Sequence, residues 1–435
     1  MQFESKAMLR QTPVTQTTTH LFADLKKLPA PYWVLFAGTL INRFGTFVFP
    51  FLALYLTRVG FTPAQAGVAI AMFGSGALCG GLFGGWLADR IGRRNTITAA
   101  AFAAAGAMAA LSQAHAYPAI LVTIFVTGFT NAAYGPASSA LLADVVPAGL
   151  RLRAYAGIRL AINAGFAFGA AVGGFLADHS FFWLFAGDAL TTACYGLLAL
   201  MLLPHGRRTH ADQATWCEAL GVLRKDRRTQ ALMLATFAIA IVFHQMSTTY
   251  ALQGRDAGLT MKAIGALLSW NGLLIVCLEL ALTSLTRRFA PRRVMALGYL
   301  LIGGGMALNG LGSSWAILFV AMTVFTFGEM ISIPVSSTYV ATLAPPDMRG
   351  RYMGLIGISW SAASMLGPSL GMQLFAWHPT VLWLACGGLG LFAAVILTRS
   401  SGDGSPPPGS CEPVAERPTN ELNQDEALAA VRIKP

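Results

Sequence analysis

Gly84-Gly85-Trp86-Leu87-Ala88-Asp89-Arg90-Ile91-Gly92-Arg93-Arg94-Asn95-Thr96 stands between two long apolar runs. It puts one acid and three arginines where a hairpin of membrane-crossing helices would meet water. A loop that needs only solubility has a free choice of polar residues. This one combines glycines, a single acid at a helix end, and basic residues four and five positions later. Gly85 and Gly92 suit close helix approach and a tight turn, two roles that a Cβ obstructs.

The apolar flanks extend over the whole chain. Of 435 residues, 55% are hydrophobic and 11% charged, too little charge to cover a soluble globule of this size. A bilayer core takes about 20 mostly apolar residues per helix, and twelve such stretches follow one another at 31–57, 63–87, 95–113, 117–143, 154–177, 181–203, 229–251, 262–284, 294–311, 315–338, 352–376 and 380–398. The expectation is an all-α membrane protein with twelve transmembrane helices. The even number puts both termini on one side.

The net charge of +11 raises the question of nucleic acid, and its distribution answers it. Of the 30 lysines and arginines, 25 fall in alternate breaks: Lys6 to Lys27, Arg90 to Arg94, Arg151 and Arg153, Arg207 to Arg228, Arg287 to Arg293, Arg349 and Arg351, and Arg399 onward. The opposite breaks hold only Arg58, Arg255 and Lys262. Such asymmetry is the positive-inside signature, so both termini and the central loop are expected in the cytoplasm and the chain in the plasma (inner) membrane. The basic excess then reports topology, with the lipid bilayer as partner and no nucleic acid. Six cysteines form no CxxC pair, and neither a disulfide framework nor a metal site is indicated. The first apolar run is too long for a signal-peptide core and reads as a retained helix.

The longest polar break, near 204–228, divides the membrane region into halves of six helices. Sliding one half over the other by 198 residues puts Pro136 on Pro334, Pro147 on Pro345, Arg151 on Arg349, Arg153 on Arg351, Gly169 on Gly367 and Gly173 on Gly371. A slide of 199 puts Arg93 and Arg94 on Arg292 and Arg293. The chain therefore divides into a cytoplasmic segment 1–30, a six-helix half 31–203, a linker 204–228, a pseudo-symmetric second half 229–398 and a tail 399–435 expected to be disordered. Six-plus-six repeats build many secondary transporters, with substrate held near the midplane between halves that rock.

The opening stretch resembles motif A of the major facilitator superfamily, the loop between its second and third transmembrane helices. The resemblance covers about residues 30–398. It assigns Gly85, Asp89, Arg90, Gly92, Arg93 and Arg94, together with Asp144 at the end of the fourth helix, to a conformational latch. In it Asp89 meets the N-terminal end of a helix from the other half, and Arg93 relays to Asp144. The second-half counterpart, 285–293, keeps its arginines and lacks the acid. In the fifth helix, Gly165, Gly169 and Gly173 resemble motif C, common among antiporters, although Ala170 stands where that motif has proline. Pro368, beside Gly367, occupies the equivalent place in the eleventh. These five residues are expected at helix contacts. The arginine that antiporters often carry in the fourth helix is absent, leaving Asn131 and Tyr134 as the conspicuous polar groups there.

Ionisable residues inside apolar helices are costly and mark candidate functional sites. Glu329, Glu279 and Asp188, in that order, are the candidates for proton coupling. Arg43, beside Asn42, lies mid-span in the first helix, and Arg159 lies near the start of the fifth. Asn42, Arg43, Asn131, Tyr134, His244, Gln245, Trp270, Asn271 and Trp360 are the candidates for a substrate cavity, with Met330 and Phe327 suiting a greasy wall. No Walker loop, HExxH or GxSxG occurs, so the parts of an ATPase or hydrolase are missing. No enzyme and no cofactor are expected. The resemblance is greatest to drug:proton antiporters, which implies efflux of small amphipathic compounds by alternating access, driven by the proton gradient, from a monomer. The rival is a proton-coupled uptake symporter or uniporter for a sugar, peptide or organic acid, in which Arg43 would bind an anionic substrate.

Overall fold

The computed structural model describes residues 27–147, 150–205, 226–286, 288–343 and 349–399. The N-terminal residues to 26, most of the linker, the tail from 400, Arg287 and Pro345 lie outside them, and with them the expectations placed there. Every element among the described residues is helical. Among the described residues, eleven spans are long and apolar enough to cross a membrane. The helix Arg349–Trp377, 29 residues like several neighbours, completes the expected twelve. Its average hydropathy is diluted by Ser359, Ser361, Ser364 and Ser369.

The ends of the spans follow local chemistry. Thr62 opens the second span with a reciprocal capping box to Gln65 ahead of Pro63. Asp226 opens the seventh by accepting from the backbone of Arg228 and Thr229. The second span closes at Gly92, whose φ of 91° belongs to the left-handed region that glycine tolerates. The second and tenth spans run on to Ile91 and Leu343, past the expected 87 and 338. At 1.5 Å per residue a 29-residue helix is about 44 Å long, so such spans outreach a ~30 Å hydrocarbon core.

Two spans expected to be continuous are broken. The first consists of Ala30–Phe44 and Val48–Arg58, the seventh of Arg227–Gln245 and Thr249–Asp256. The breaks fall at matching places in the two halves. At the first, any Cβ on Gly45 would run into the Thr191 side chain of the sixth span.

Packing obeys the repeat. In the first half, span one packs on five and six, two on four, and three on four and six. In the second, seven packs on eleven and twelve, eight on ten, and nine on ten and twelve. The halves meet mainly through two contacts that are each other's repeat, second span on eleventh and fifth on eighth, and more narrowly where Val48–Arg58 of the first span touches Thr249–Asp256 of the seventh. The fold is thus two six-helix pseudo-symmetric halves.

Candidate functional site

Four side chains from three spans form a hydrogen-bonded chain beside the first break. The Tyr134 hydroxyl donates to Asn42 Oδ1 at 3.1 Å, Asn42 Nδ2 donates to Thr192 Oγ1 at 3.1 Å, and the Thr192 hydroxyl reaches Asp188 Oδ1 at 3.4 Å. The Asp188 carboxylate, 6% exposed, also accepts from the backbone N–H of Val48. Val48 is the first residue of the second half-helix, so a carboxylate faces the positive end of a helix dipole. The Arg43 guanidinium is close enough to act on Asp188 electrostatically. Arg43, Asp188, Asn131 and Tyr134 line one cavity of about 260 Å³, with Phe49, Phe73 and Met108 as its apolar wall. His244 reaches this cavity from the second half, its Nε2 buried and without a hydrogen-bond partner. The Nε of Arg43 is likewise unpartnered.

A second polar cluster lies between the halves. Glu329, midway along the tenth span and 7% exposed, accepts from Asn271 Nδ2 at 2.9 Å, and the same amide reaches Thr326 Oγ1 at 3.0 Å. Arg159 of the fifth span and Glu279 of the eighth form an ion pair at 2.9 Å. Both act electrostatically on Glu329. Glu329 is thus a buried carboxylate held by one neutral amide, with an opposite-sign pair straddling the half interface nearby.

The other cavity candidates are placed apart. Gln245 is buried between the seventh and eleventh spans, donating to the Gly367 carbonyl at 3.0 Å and filling the room left by Gly371. Trp270 donates to Thr323 at 3.0 Å, and its ring lies tilted against Phe319, 5.1 Å between centroids. Trp360 meets Phe243 edge-on at the wall of a smaller second-half cavity of about 60 Å³. Met330 is fully buried, whereas Phe327 faces outward.

At the loop between the second and third spans, Arg93 pairs with Asp144 and donates to the Ala140 carbonyl at 2.8 Å. Arg94 meets His205 at 2.7 Å, and Arg90 lies over the Trp86 ring at 5.1 Å. Asp89 is exposed, and no hydrogen bond or ion pair to it is found among the described residues. Gly85 is not the residue that lets helices touch: the nearest atom to a Cβ there is 4.0 Å away. Gly76, Gly80 and Gly84 do that instead, each with its Cβ position against a carbonyl of the fourth span. The reason is phase, since one residue is 100° of helix and Gly85 is turned off the contact line. Gly165, Gly169 and Gly173 back the fifth span onto the first-span break. A Cβ at Gly165 would come 2.7 Å from Arg43 Cβ, and one at Gly173 would come 3.1 Å from the Phe51 ring. The Pro368 carbonyl lies 3.1 Å from the Cβ position of Gly67 in the second span. At Gly367 the nearest neighbour is Ile241, 3.4 Å off.

Thr192 and Thr326 are hydrogen-bonded into these clusters and were not expected there. Their only signal was position, one turn after Asp188 and nearly one before Glu329.

Comparison with known proteins agrees with this architecture. The family model described as Major Facilitator Superfamily matches residues 35–260 and 247–423. The chain is 27% identical over 378 residues to "Uncharacterized MFS-type transporter YqjV" of Bacillus subtilis (strain 168), covering 84% of this chain and 92% of that one. It is 27% identical over 379 residues to "Multidrug resistance protein MdtH" of Klebsiella pneumoniae (strain 342), with the same coverage. It is 28% identical over 364 residues to a "Na(+), Li(+), K(+)/H(+) antiporter" of Planococcus maritimus, covering 76% and 85%. Among solved structures, a D-xylose–proton symporter superposes with a TM-score of 0.71 at 17% identity, over 84% of this chain and 96% of that one, a likeness of fold alone. With its two broken-helix halves and a family model covering most of its length, the chain belongs to the Major Facilitator Superfamily and is an integral membrane transporter rather than an enzyme.

Proposed function

We propose that the protein exports small amphipathic compounds across the plasma membrane in exchange for protons, with its basic loops and both termini on the cytoplasmic side. Glu329 carries the proton and the cavity beside the first-span break carries the compound. One observation supports this reading above the others. Glu329 is a buried mid-span carboxylate with a neutral amide as its direct partner, beside an ion pair whose two members belong to different halves. When the halves rock, Arg159 and Glu279 separate or approach, and the field on Glu329 changes with them. The carboxylate then takes a proton in one state and releases it in the other. The names of the multidrug-resistance and cation–proton antiporter relatives support the same direction. Each elementary charge moved is worth about 2.3 kcal/mol per 100 mV, enough to drive a gradient of small solute. Arg93 and Asp144 act as the latch at the cytoplasmic end, and the protein works as a monomer.

The test is proton flux in proteoliposomes holding an acid interior, challenged from outside with a panel of lipophilic cations. Proton release evoked by substrate in the native protein, and lost in Glu329→Gln, is the expected result. No release with any compound, from correctly folded protein, refutes export by antiport. A second reading, uptake or uniport of a compound rich in hydrogen-bond acceptors, draws on the unpartnered Arg43 Nε and His244 Nε2 at the same cavity. It predicts substrate movement without proton release.

A further inference from the structure

The hairpin between the eighth and ninth spans is the repeat partner of the one carrying Asp89, yet its arginines are differently placed. In the first half each arginine has a partner within the protein: Trp86 for Arg90, Asp144 for Arg93 and His205 for Arg94. In the second, Arg292 meets the Tyr339 hydroxyl, but Arg288 and Arg293 are exposed and no carboxylate among the described residues pairs with either. The stretch 285–293 holds no acid at all. The ninth span begins there at Pro291 without a side-chain cap, so the positive end of its dipole adds to the same field.

Beside these charges runs an apolar groove of about 540 Å³ on the outer face of the eighth, ninth and tenth spans. Leu285, Phe289, Leu297, Leu301 and Phe327 line it, and Arg293 stands at its loop end. From Arg293 to Leu301 the groove is about 12 Å long, most of the depth of one leaflet. We propose that this groove is a site for one anionic phospholipid, with the phosphate on Arg288 and Arg293 and an acyl chain along Leu297 toward Phe327. Charge complementarity selects that occupant. A zwitterionic headgroup brings its own cation to two uncompensated guanidiniums, whereas phosphatidylglycerol brings a net negative charge. Two basic residues at the membrane surface give a preference of roughly thirtyfold.

The test puts a fluorescent reporter in the groove by Leu297→Trp, a position 53% exposed and so able to take the ring. Emission is read as the difference from the parent protein in phosphatidylcholine nanodiscs doped with brominated phosphatidylglycerol or brominated phosphatidylcholine. The expected result is half-maximal quenching at roughly thirtyfold less phosphatidylglycerol than phosphatidylcholine. That preference falls below about threefold in the Arg288→Gln/Arg293→Gln background and is absent for Leu391→Trp, a lipid-facing reporter 56% exposed on the twelfth span. Equal quenching by the two lipids at Leu297→Trp, or an equal preference at both reporters, overturns the proposal, because either means ordinary bulk lipid. Retained preference after both arginines are neutralised overturns it as well.

Discussion

Arg159 and Glu279 meet at 2.9 Å across the boundary between the two halves, one on the fifth span and the other on the eighth. The same two spans carry a second cross-half pair, Lys262 with Asp178 at 3.6 Å, at the end away from the basic loops. There Asp178 also accepts from the Met261 backbone and Arg255 donates to Thr57, so that end is tied shut by polar contacts. The two ion pairs differ in setting: the Glu279 side chain is 14% exposed and Lys262 is 52% exposed.

Removing one member of the inner pair should therefore cost more than removing one of the outer. Glu279→Gln is expected to destabilise by about 1–3 kcal/mol, less than a fully buried pair would, because the Arg159 side chain is 35% exposed. Lys262→Gln is expected to stay within about 0.5 kcal/mol. Arg159→Met with Glu279→Leu should recover most of the loss. Thermal unfolding of the single and double variants in detergent gives the coupling energy, and a value near zero would contradict the pairing.

Adjacent glycines in the opening motif should respond oppositely to one added methyl group. Gly84→Ala drives a Cβ into the Ala133 carbonyl and should cost about 1–3 kcal/mol by overpacking. Gly85→Ala meets nothing closer than 4.0 Å and should be neutral or slightly stabilising, since alanine favours helix. Unfolding temperatures that fall equally for both would refute the contact line through Gly76, Gly80 and Gly84.

The same comparison shows what the amino-acid sequence made legible and what it hid. Twelve spans, two halves and the polar loops were readable because lipid demands apolar length and because arginines accumulate on one side. Helix phase was not, so Gly85 stood in for Gly84. The break at Gly45 left a glycine as a trace, but the one after Gln245 falls in Met246-Ser247-Thr248, with no glycine or proline to mark it. The pairing of Arg159 with Glu279 joins residues 120 positions apart in chain order, and only the packing of the fifth span on the eighth brings them together. Gln245 was expected at the cavity together with its neighbour His244. One helical step turns it instead toward Gly367 and Gly371.

Among the described residues, the two halves give their equivalent arginines partners of different chemistry. Arg93 pairs with a carboxylate, Asp144, whereas Arg292, its repeat partner, meets the neutral hydroxyl of Tyr339. Asp144→Asn should lower the initial transport rate by about tenfold, and Tyr339→Phe by less than about threefold, in line with the greater strength of charge-assisted bonds. Equal losses in reconstituted vesicles would argue against a one-sided latch.

Charge selectivity should follow Asp188. With its carboxylate on the cavity wall, Asp188→Asn is expected to raise KM for cationic compounds by about tenfold while leaving neutral ones within about threefold. Competition assays with matched cationic and neutral analogues read this directly, and a uniform loss across both would place Asp188 outside substrate recognition.

The central claim is that Glu329 couples the proton to the substrate. It is tested most directly by comparing two fluxes in vesicles containing Glu329→Gln: substrate accumulation driven by an imposed pH gradient, and substrate-for-substrate exchange with no gradient. Loss of gradient-driven accumulation with exchange preserved is the predicted result, since neutralising the carboxylate removes the proton and leaves the rocking of the halves intact. Accumulation that persists at the native level would contradict the account.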